Sequence, residues 1–194
     1  VDWWAPAAGR PLSPDAAAEF DGLLLESVAR VAGDRRVLAL RDYHAENLIW
    51  DGAAAGLRRL RLLDYQDALI GSPAYDLVSL LTDARRDVSD ELRAAMTARY
   101  VAGARARDPG FDAEAFAADA AALSVQRNLK IVGIFARLCR RDGKPRYLAL
   151  IPRVWAHLRR DLAHPALARL RTFVDRAIPA PEAAALAAAG ARAA

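Results

Sequence analysis

The chain is poor in several residue types, and each shortage closes off a class of explanation. It has one cysteine, Cys139, so no internal disulfide framework is possible and a reducing, cytoplasmic setting is expected. Cys139 falls in an apolar helical stripe and reads as buried filler rather than a reactive thiol. Lysine is nearly absent, Lys130 and Lys144 being the only two. Before Leu40 the only glycines are Gly9, Gly22 and Gly33, so no glycine-rich loop for cradling phosphates can be drawn there. His44 has no second histidine near it in sequence, since His157 and His164 fall in late helices, and this argues against a zinc centre. No apolar run reaches the length of a membrane span and no basic-then-apolar leader opens the chain, so no membrane partner is expected. The net charge is only +4, and the arginines behind the pI near 9.6 are spread along every helix. Nucleic-acid binders concentrate theirs in a patch or stripe, so no nucleic-acid partner is expected either.

What remains is a soluble globular composition, 54% hydrophobic and 27% charged over 194 residues, long enough to bury one core. An aromatic entry, Asp2-Trp3-Trp4-Ala5-Pro6, leads to Ser13, which caps a helix from Pro14 to about Ala32. Phe20, Leu24, Val28 and Val31 line one face of it, and Gly33-Asp34 ends it. After Asp76 the pattern is helical throughout. Helices are expected from Ala74 to Asp83, from a Ser89 cap to Arg105, and from Asp112 to Arg141, the last with a stripe of Ile131, Ile134, Phe135 and Leu138. Two more cover Tyr147 to Leu162 and Pro165 to Ile178. Residues 1–179 are expected to form the folded domain, and the Ala-rich stretch 180–194 a frayed tail. Few strands against many helices exclude a doubly wound sheet. The fold class is mainly α with a small β-hairpin.

Asp42 and Asn47 stand five residues apart in Leu40-Arg41-Asp42-Tyr43-His44-Ala45-Glu46-Asn47, and a further acid follows in Leu62-Leu63-Asp64-Tyr65-Gln66-Asp67. Phosphoryl transfer from a nucleotide needs few protein groups. One carboxylate accepts the proton of the attacking hydroxyl, and an Asn and a second Asp hold magnesium against the phosphates. The kinase catalytic loop has its base and its Asn at this spacing, with the metal-binding Asp on a later strand. Asp42 is expected where the strand Val37-Leu38-Ala39-Leu40 runs out into a loop, and Asn47 where Leu48-Ile49-Trp50 begins. Asp51-Gly52 marks a turn, and Leu60 and Leu62 alternate with Arg59 and Arg61 as a half-buried strand that ends at Asp64. Two oxygen ligands from adjacent strand ends suit magnesium, which takes its other ligands from phosphate and water. His44 reads as a hydrogen-bonding support for the loop, and Arg41 as the partner of a neighbouring acid. Glu46 and Asp67 read as solvated or cleft-edge acids, and Arg85-Arg86 as a solvated face.

These residues resemble the aminoglycoside phosphotransferase and choline kinase-like superfamily, a branch of the protein-kinase-like fold. Asp42-Tyr43-His44-Ala45-Glu46-Asn47 is similar to that family's D-x-H-x-x-N catalytic loop. Leu63-Asp64-Tyr65-Gln66-Asp67-Ala68 resembles its second metal motif, and Gly71-Ser72-Pro73-Ala74-Tyr75-Asp76-Leu77 the element that follows. The resemblance implies ATP as phosphoryl donor with Mg2+, Asp42 as catalytic base, Asn47 and Asp64 as metal and cofactor ligands, and Asp76 as a brace for the catalytic loop. Within the family, Leu40 to Leu81 is most similar to bacterial kinases of cell-wall amino sugars, which phosphorylate an anomeric hydroxyl. An amino sugar or aminoglycoside-like hydroxyl acceptor is the implied partner.

Two departures accompany the likeness. The family's usual His two residues before the catalytic Asp is replaced by Leu40. No lysine precedes Asp42 to hold the α- and β-phosphates, and the first segment reads as a turn and one helix. The chain therefore reads as a protein-kinase-like C-terminal lobe lacking its N-terminal nucleotide lobe, inactive by itself, with Trp3 and Trp4 placed to pack against the missing lobe. An opening Val and a single Met96 fit a truncated or cleaved product, or a non-standard start codon written as Val. Three functional classes stay open: an ATP-dependent small-molecule kinase once the missing lobe is present, a non-catalytic kinase-like binding domain, and a metal-dependent hydrolase using Asp42, His44 and Asp64. Oligomeric state is not readable.

Overall fold

The computed structural model describes residues 1–29, 31 and 36–191, and its contacts divide the chain into two compact units. One unit is Ala32–Ala120; the other joins Val1–Val31 to Ala121–Ala194. The Gly33-Asp34 helix stop lies outside the described residues.

The Ala32–Ala120 unit holds four short strands: β1 (Val37–Ala39), β2 (Leu48–Trp50), β3 (Leu60–Leu62) and β4 (Leu69–Gly71). They form two antiparallel two-stranded ladders, β1 with β4 and β2 with β3. The single hairpin expected from the sequence is therefore only half of the β-structure. Gly71 is fitted to the first ladder, since a Cβ there would lie 3.3 Å from Leu69 Cδ1 and 3.4 Å from Ala39 Cβ. β3 is not half-buried as its alternation suggested, for Leu60 and Leu62 are each 37% exposed. A lone two-stranded ladder has no second layer to give it a dry face. Three helices follow or begin in this unit: α3 (Ala74–Leu81), α4 (Asp90–Arg107) and the start of α5 (Ala113–Arg140). Ser89 caps α4, its hydroxyl accepting from the Leu92 N–H at 3.1 Å. Asp90 and Glu91 in the first turn and Arg105 and Arg107 in the last complement the helix dipole. The Tyr100 ring stacks on Phe116 at 5.1 Å, and Phe111 tilts against Phe116 at 5.4 Å.

The other unit is helical. It contains α1 (Trp4–Ala7), α2 (Pro14–Ala29), α5 from residue 121 onward, α6 (Ile151–Asp161), α7 (Ala168–Ala177) and α8 (Ala183–Ala191). Trp4 is 2% exposed and its indole N–H donates to the Pro179 carbonyl at 2.7 Å, so it belongs to this unit's own core and is not held ready for another lobe. Phe20 of α2 meets Phe173 of α7 at 5.8 Å. The buried face of α5 is Val125, Asn128, Val132, Phe135, Ala136 and Cys139. Of the stripe expected there, Phe135 alone is buried, while Ile131, Ile134 and Leu138 are half-buried. The apolar pattern misled because small and polar residues fill part of the true face. Asn128 is fully buried and donates to Ser124 Oγ at 3.1 Å, and Ser124 donates in turn to Asp161, which Arg160 also grips. The frayed tail expected from residue 180 is, from Ala183 to Ala191, a helix with Ala189 fully buried and its carbonyl 3.9 Å from Cys139 Sγ. No described helix is long and apolar enough to cross a membrane.

Candidate functional site

The two ladders place two loops side by side. β1 ends at Ala39, paired with Leu69, the first residue of β4; β2 begins at Leu48, paired with Leu62, the last residue of β3. The connection from Ala39 to Leu48 carries Asp42 and Asn47, and the connection from Leu62 to Leu69 carries Asp64. Both connections start and finish at paired residues, so each loop is tied to the other at its two ends.

Hydrogen bonds tighten this arrangement. Asn47 Nδ2 donates to the Asp42 carbonyl at 2.9 Å, and the Leu63 N–H donates to the Asn47 carbonyl at 2.9 Å. Asn47 thus touches Asp42 directly and the residue before Asp64. A tight turn over Ala45–Asn47 shortens the loop, with the Asn47 N–H bonded to the His44 carbonyl. Where strand β1 leaves its ladder, Asp76 in the first turn of α3 accepts from both Leu40 N–H (2.7 Å) and Arg41 N–H (3.0 Å). Each carboxylate oxygen takes one amide, a charge-assisted pair.

Two residues beside the candidate groups or among them adopt the left-handed backbone that L side chains avoid: Arg41 at φ 71 and Asp64 at φ 57. They are the only such non-glycine residues described, and both lie in these two loops. Such strain survives where surrounding bonds over-determine it, and it concentrates at functional sites.

The individual side chains differ from expectation in two cases. Arg41 is held through its backbone by Asp76, and its guanidinium forms no ion pair among the described residues. His44 supports the loop through its own backbone N–H, bonded to the Asp42 carbonyl, whereas its Nδ1 is buried without a hydrogen-bond partner. Asp42 and Asp64 are exposed and Asn47 is half-buried. Glu46 and Arg85 are exposed, as expected, and they pair with each other at 3.3 Å.

Tyr43 was not singled out from sequence. Burial raises its phenol above the ordinary range, and the Asp76 carboxylate adds to the shift. Tyr100 of α4 is also raised by burial, with Arg107 opposing and Asp76 reinforcing. Asp76 therefore adds to the field at both phenols, as well as holding the loop backbone.

The donor set suits a hard cation. The Asn47 amide commits its nitrogen to the Asp42 carbonyl, which leaves Oδ1 as its acceptor. Asp64 Oδ1 takes the Gln66 amide at 2.6 Å and leaves Oδ2. Two oxygen acceptors, one from each loop, are the kind that magnesium takes, since it demands few protein groups. Among the described residues no three His, Cys, Asp or Glu side chains cluster to hold a metal, the richer set that a two-metal hydrolase uses. Two surface clefts lie elsewhere. One of about 680 Å³ is lined by residues between Ala53 and Arg61, and one of about 480 Å³ by Arg10, Trp155, Arg159 and Glu182 among others; neither contains a candidate residue.

A sequence profile described as the phosphotransferase enzyme family matches residues 2–115. The chain is 46% identical over 178 residues to an N-acetylmuramate/N-acetylglucosamine kinase of Caulobacter vibrioides, covering 91% of this chain and 48% of that protein. Proteins of the same name from Pseudomonas putida and Neisseria meningitidis are 37% and 42% identical, over 72% and 64% of this chain and 40% and 36% of theirs. The chain thus spans about half the length, or less, of the named relatives it matches.

Proposed function

The chain belongs to the phosphotransferase enzyme family, and from that premise we propose that it carries the acceptor-activating and metal-holding half of an ATP-dependent amino-sugar kinase. The acceptor is a hydroxyl of an N-acetylated amino sugar, after the names of the relatives. The observation that supports this most is the double tie between the Asp42–Asn47 loop and the Asp64 loop.

In this reading Asp42 receives the proton of the sugar hydroxyl. The hydroxyl oxygen forms a bond to the terminal phosphorus of ATP, the bond from that phosphorus to the bridging oxygen breaks, and ADP leaves with the electron pair. Magnesium, when bound, would neutralise phosphate charge and orient the donor. Asn47 Oδ1 and Asp64 Oδ2 are the oxygens that would hold it. Asp76 fixes the backbone ahead of Asp42, so that the base does not wander from the attacking oxygen, and this positioning is worth much of the rate in a loose transition state. His44 is assigned no chemical step.

No lysine precedes Asp42 to grip the inner phosphates, so the reading includes that groups beyond these 194 residues complete the nucleotide site, and that the chain alone binds ATP weakly. The test measures ADP release with N-acetylglucosamine, on the chain alone and on a chimera joining it to the part of the Caulobacter relative that it does not match. Turnover in the chimera, reduced about 10²–10⁴-fold by Asp42→Asn with nucleotide affinity retained, is the expected result. Undiminished turnover in the Asp42→Asn chimera removes Asp42 from the role.

A further inference from the structure

Arg85 lies on a solvated face, as expected, and from there it reaches the loop that carries Asp42 and Asn47. Its Nε lies 3.3 Å from Glu46 Oε2. Glu46 immediately precedes Asn47 and follows Asp42 by four residues. Even a straight chain would separate those α-carbons by no more than about 14 Å, and the turn at Ala45–Asn47 shortens the path. The guanidinium is therefore tied to the same short loop that carries Asp42.

The Arg85 backbone is also fixed. After α3 ends, Asp83 turns inward and is 2% exposed, and its Oδ1 accepts the Arg85 N–H at 2.9 Å. A buried carboxylate thus anchors the root of the side chain, and Glu46 orients its far end. Arginine carries five N–H donors in a rigid fork. Glu46 faces the Nε, and among the described residues the two terminal nitrogens make no hydrogen bond, while the side chain stays 39% exposed. What is left is the edge of the fork that grips a carboxylate with two parallel hydrogen bonds.

The charge around it gives that edge a purpose. Asp42, Glu46, Asp64 and Asp67 all lie in the two loops, against the single charge of Arg41, so an anionic acceptor approaching Asp42 meets a net field of its own sign. A cation is needed to admit it, and Arg85 is joined to the loop by a direct contact. Were the Glu46 pair only a surface ion pair, it would contribute little to stability and would have no bearing on which acceptor binds.

We propose that Arg85, rooted by Asp83 and aimed by Glu46, recognises a carboxylate on the acceptor sugar and so sets selectivity between acidic and neutral amino sugars. The proposal rests on the phosphotransferase reading above and names a specificity residue for its acceptor site. The probes are N-acetylmuramate, which bears a carboxylate on a lactyl ether, and N-acetylglucosamine, which lacks it. Their affinities for the 194-residue chain are measured by calorimetry or by amide shift titration, in the wild type and in Arg85→Ala, Arg85→Lys and Arg86→Ala.

In Arg85→Ala the affinity ratio of muramate to glucosamine falls about tenfold, the loss of a charge-assisted pair. Arg85→Lys restores part of the ratio, since the charge returns without the fork. Arg86→Ala, an equal change of charge at the next residue, leaves the ratio near the wild-type value. An unchanged ratio in Arg85→Ala, or an equal fall in Arg86→Ala, overturns the assignment of Arg85 while leaving the acceptor site standing. Failure of the wild type to bind either sugar overturns both the assignment and the acceptor reading.

Discussion

Replacing Asp76 should loosen one short stretch of chain by an amount the structure allows to be estimated. Its two carboxylate oxygens accept from the Leu40 and Arg41 amides at 2.7 and 3.0 Å. A hydrogen bond to a charged group contributes about 1.5–3 kcal/mol. Asp76 is half-buried, so water recovers part of what the two amides lose. The low end of the sum, about 3 kcal/mol, is then the expected cost of Asp76→Ala. At about 1.4 kcal/mol per tenfold, the Leu40 and Arg41 amides should exchange with solvent about 100-fold faster. Asp76→Asn keeps one acceptor oxygen and should show about half that free-energy change. Amide exchange followed by NMR reads both residues directly, and the α4 and α5 amides provide the internal reference. A second readout follows from charge. Because the Asp76 carboxylate adds to the raised ionisation of Tyr43 and Tyr100, its removal should lower both phenol titrations while burial keeps them above the ordinary range. If the Leu40 and Arg41 amides exchange at the wild-type rate in Asp76→Ala, the brace contributes nothing and the account of the loop's rigidity is wrong.

Two other substitutions test the surroundings. Asp119 is raised above its ordinary range by burial, so the folded state holds its proton more tightly than the unfolded state does. Its contribution is fully present below the unfolded value and is lost as pH rises through the folded one. Asp119→Asn should therefore raise the melting temperature at about pH 7 and leave it unchanged at about pH 3, as scanning calorimetry will read; an equal gain at both would contradict the titration argument. Trp4→Phe leaves the Pro179 carbonyl without its 2.7 Å donor and shrinks a 2% exposed side chain. It should cost about 2 kcal/mol or more in urea unfolding, whereas Trp3→Phe at a 38% exposed position should cost little.

The legibility of this chain differed by the kind of interaction involved. The placing of Asp42 and Asn47 in one loop and Asp64 in an adjoining one was readable, because the strands around them follow from apolar runs broken by turns. β4 was not readable, because Leu69, Ile70 and Gly71 are too few to show a period and its partner β1 lies some thirty residues earlier. The true face of α5 was hidden because Asn128 and Ser124 sit in it, and their burial depends on Asp161 and Arg160, which a hydropathy pattern cannot weigh. The Trp4 bond spans 175 residues, beyond any local rule. The Glu46–Arg85 contact crosses 39 residues between two exposed charges, as 85 less 46 gives, and each alone reads as a solvated residue. Local order was visible, then, and the pairing of distant polar groups was not.

The strain at Arg41 offers a way to separate geometry from charge. At φ 71 its Cβ crowds the following carbonyl, a cost of about 1–2 kcal/mol for an L residue. Arg41→Gly removes the crowding but adds unfolded-chain entropy of about 0.5–1 kcal/mol, so the net change should be between zero and about 1.5 kcal/mol of stabilisation. Arg41→Ala removes the same guanidinium and keeps the Cβ, so it should gain nothing. The difference between the two, by urea unfolding, isolates the backbone term from any effect of the arginine charge. That difference should depend on Asp76, since the two amide bonds hold Leu40 and Arg41 in place. In an Asp76→Ala background the loop is free to relax, the left-handed conformation is no longer enforced, and glycine loses its advantage over alanine. A double-mutant cycle between residues 41 and 76 should then show coupling above the about 0.5 kcal/mol expected of independent sites. Equal stability of Arg41→Gly and Arg41→Ala in the wild-type background would mean that no strain is stored there, and that the brace holds a conformation the loop already prefers.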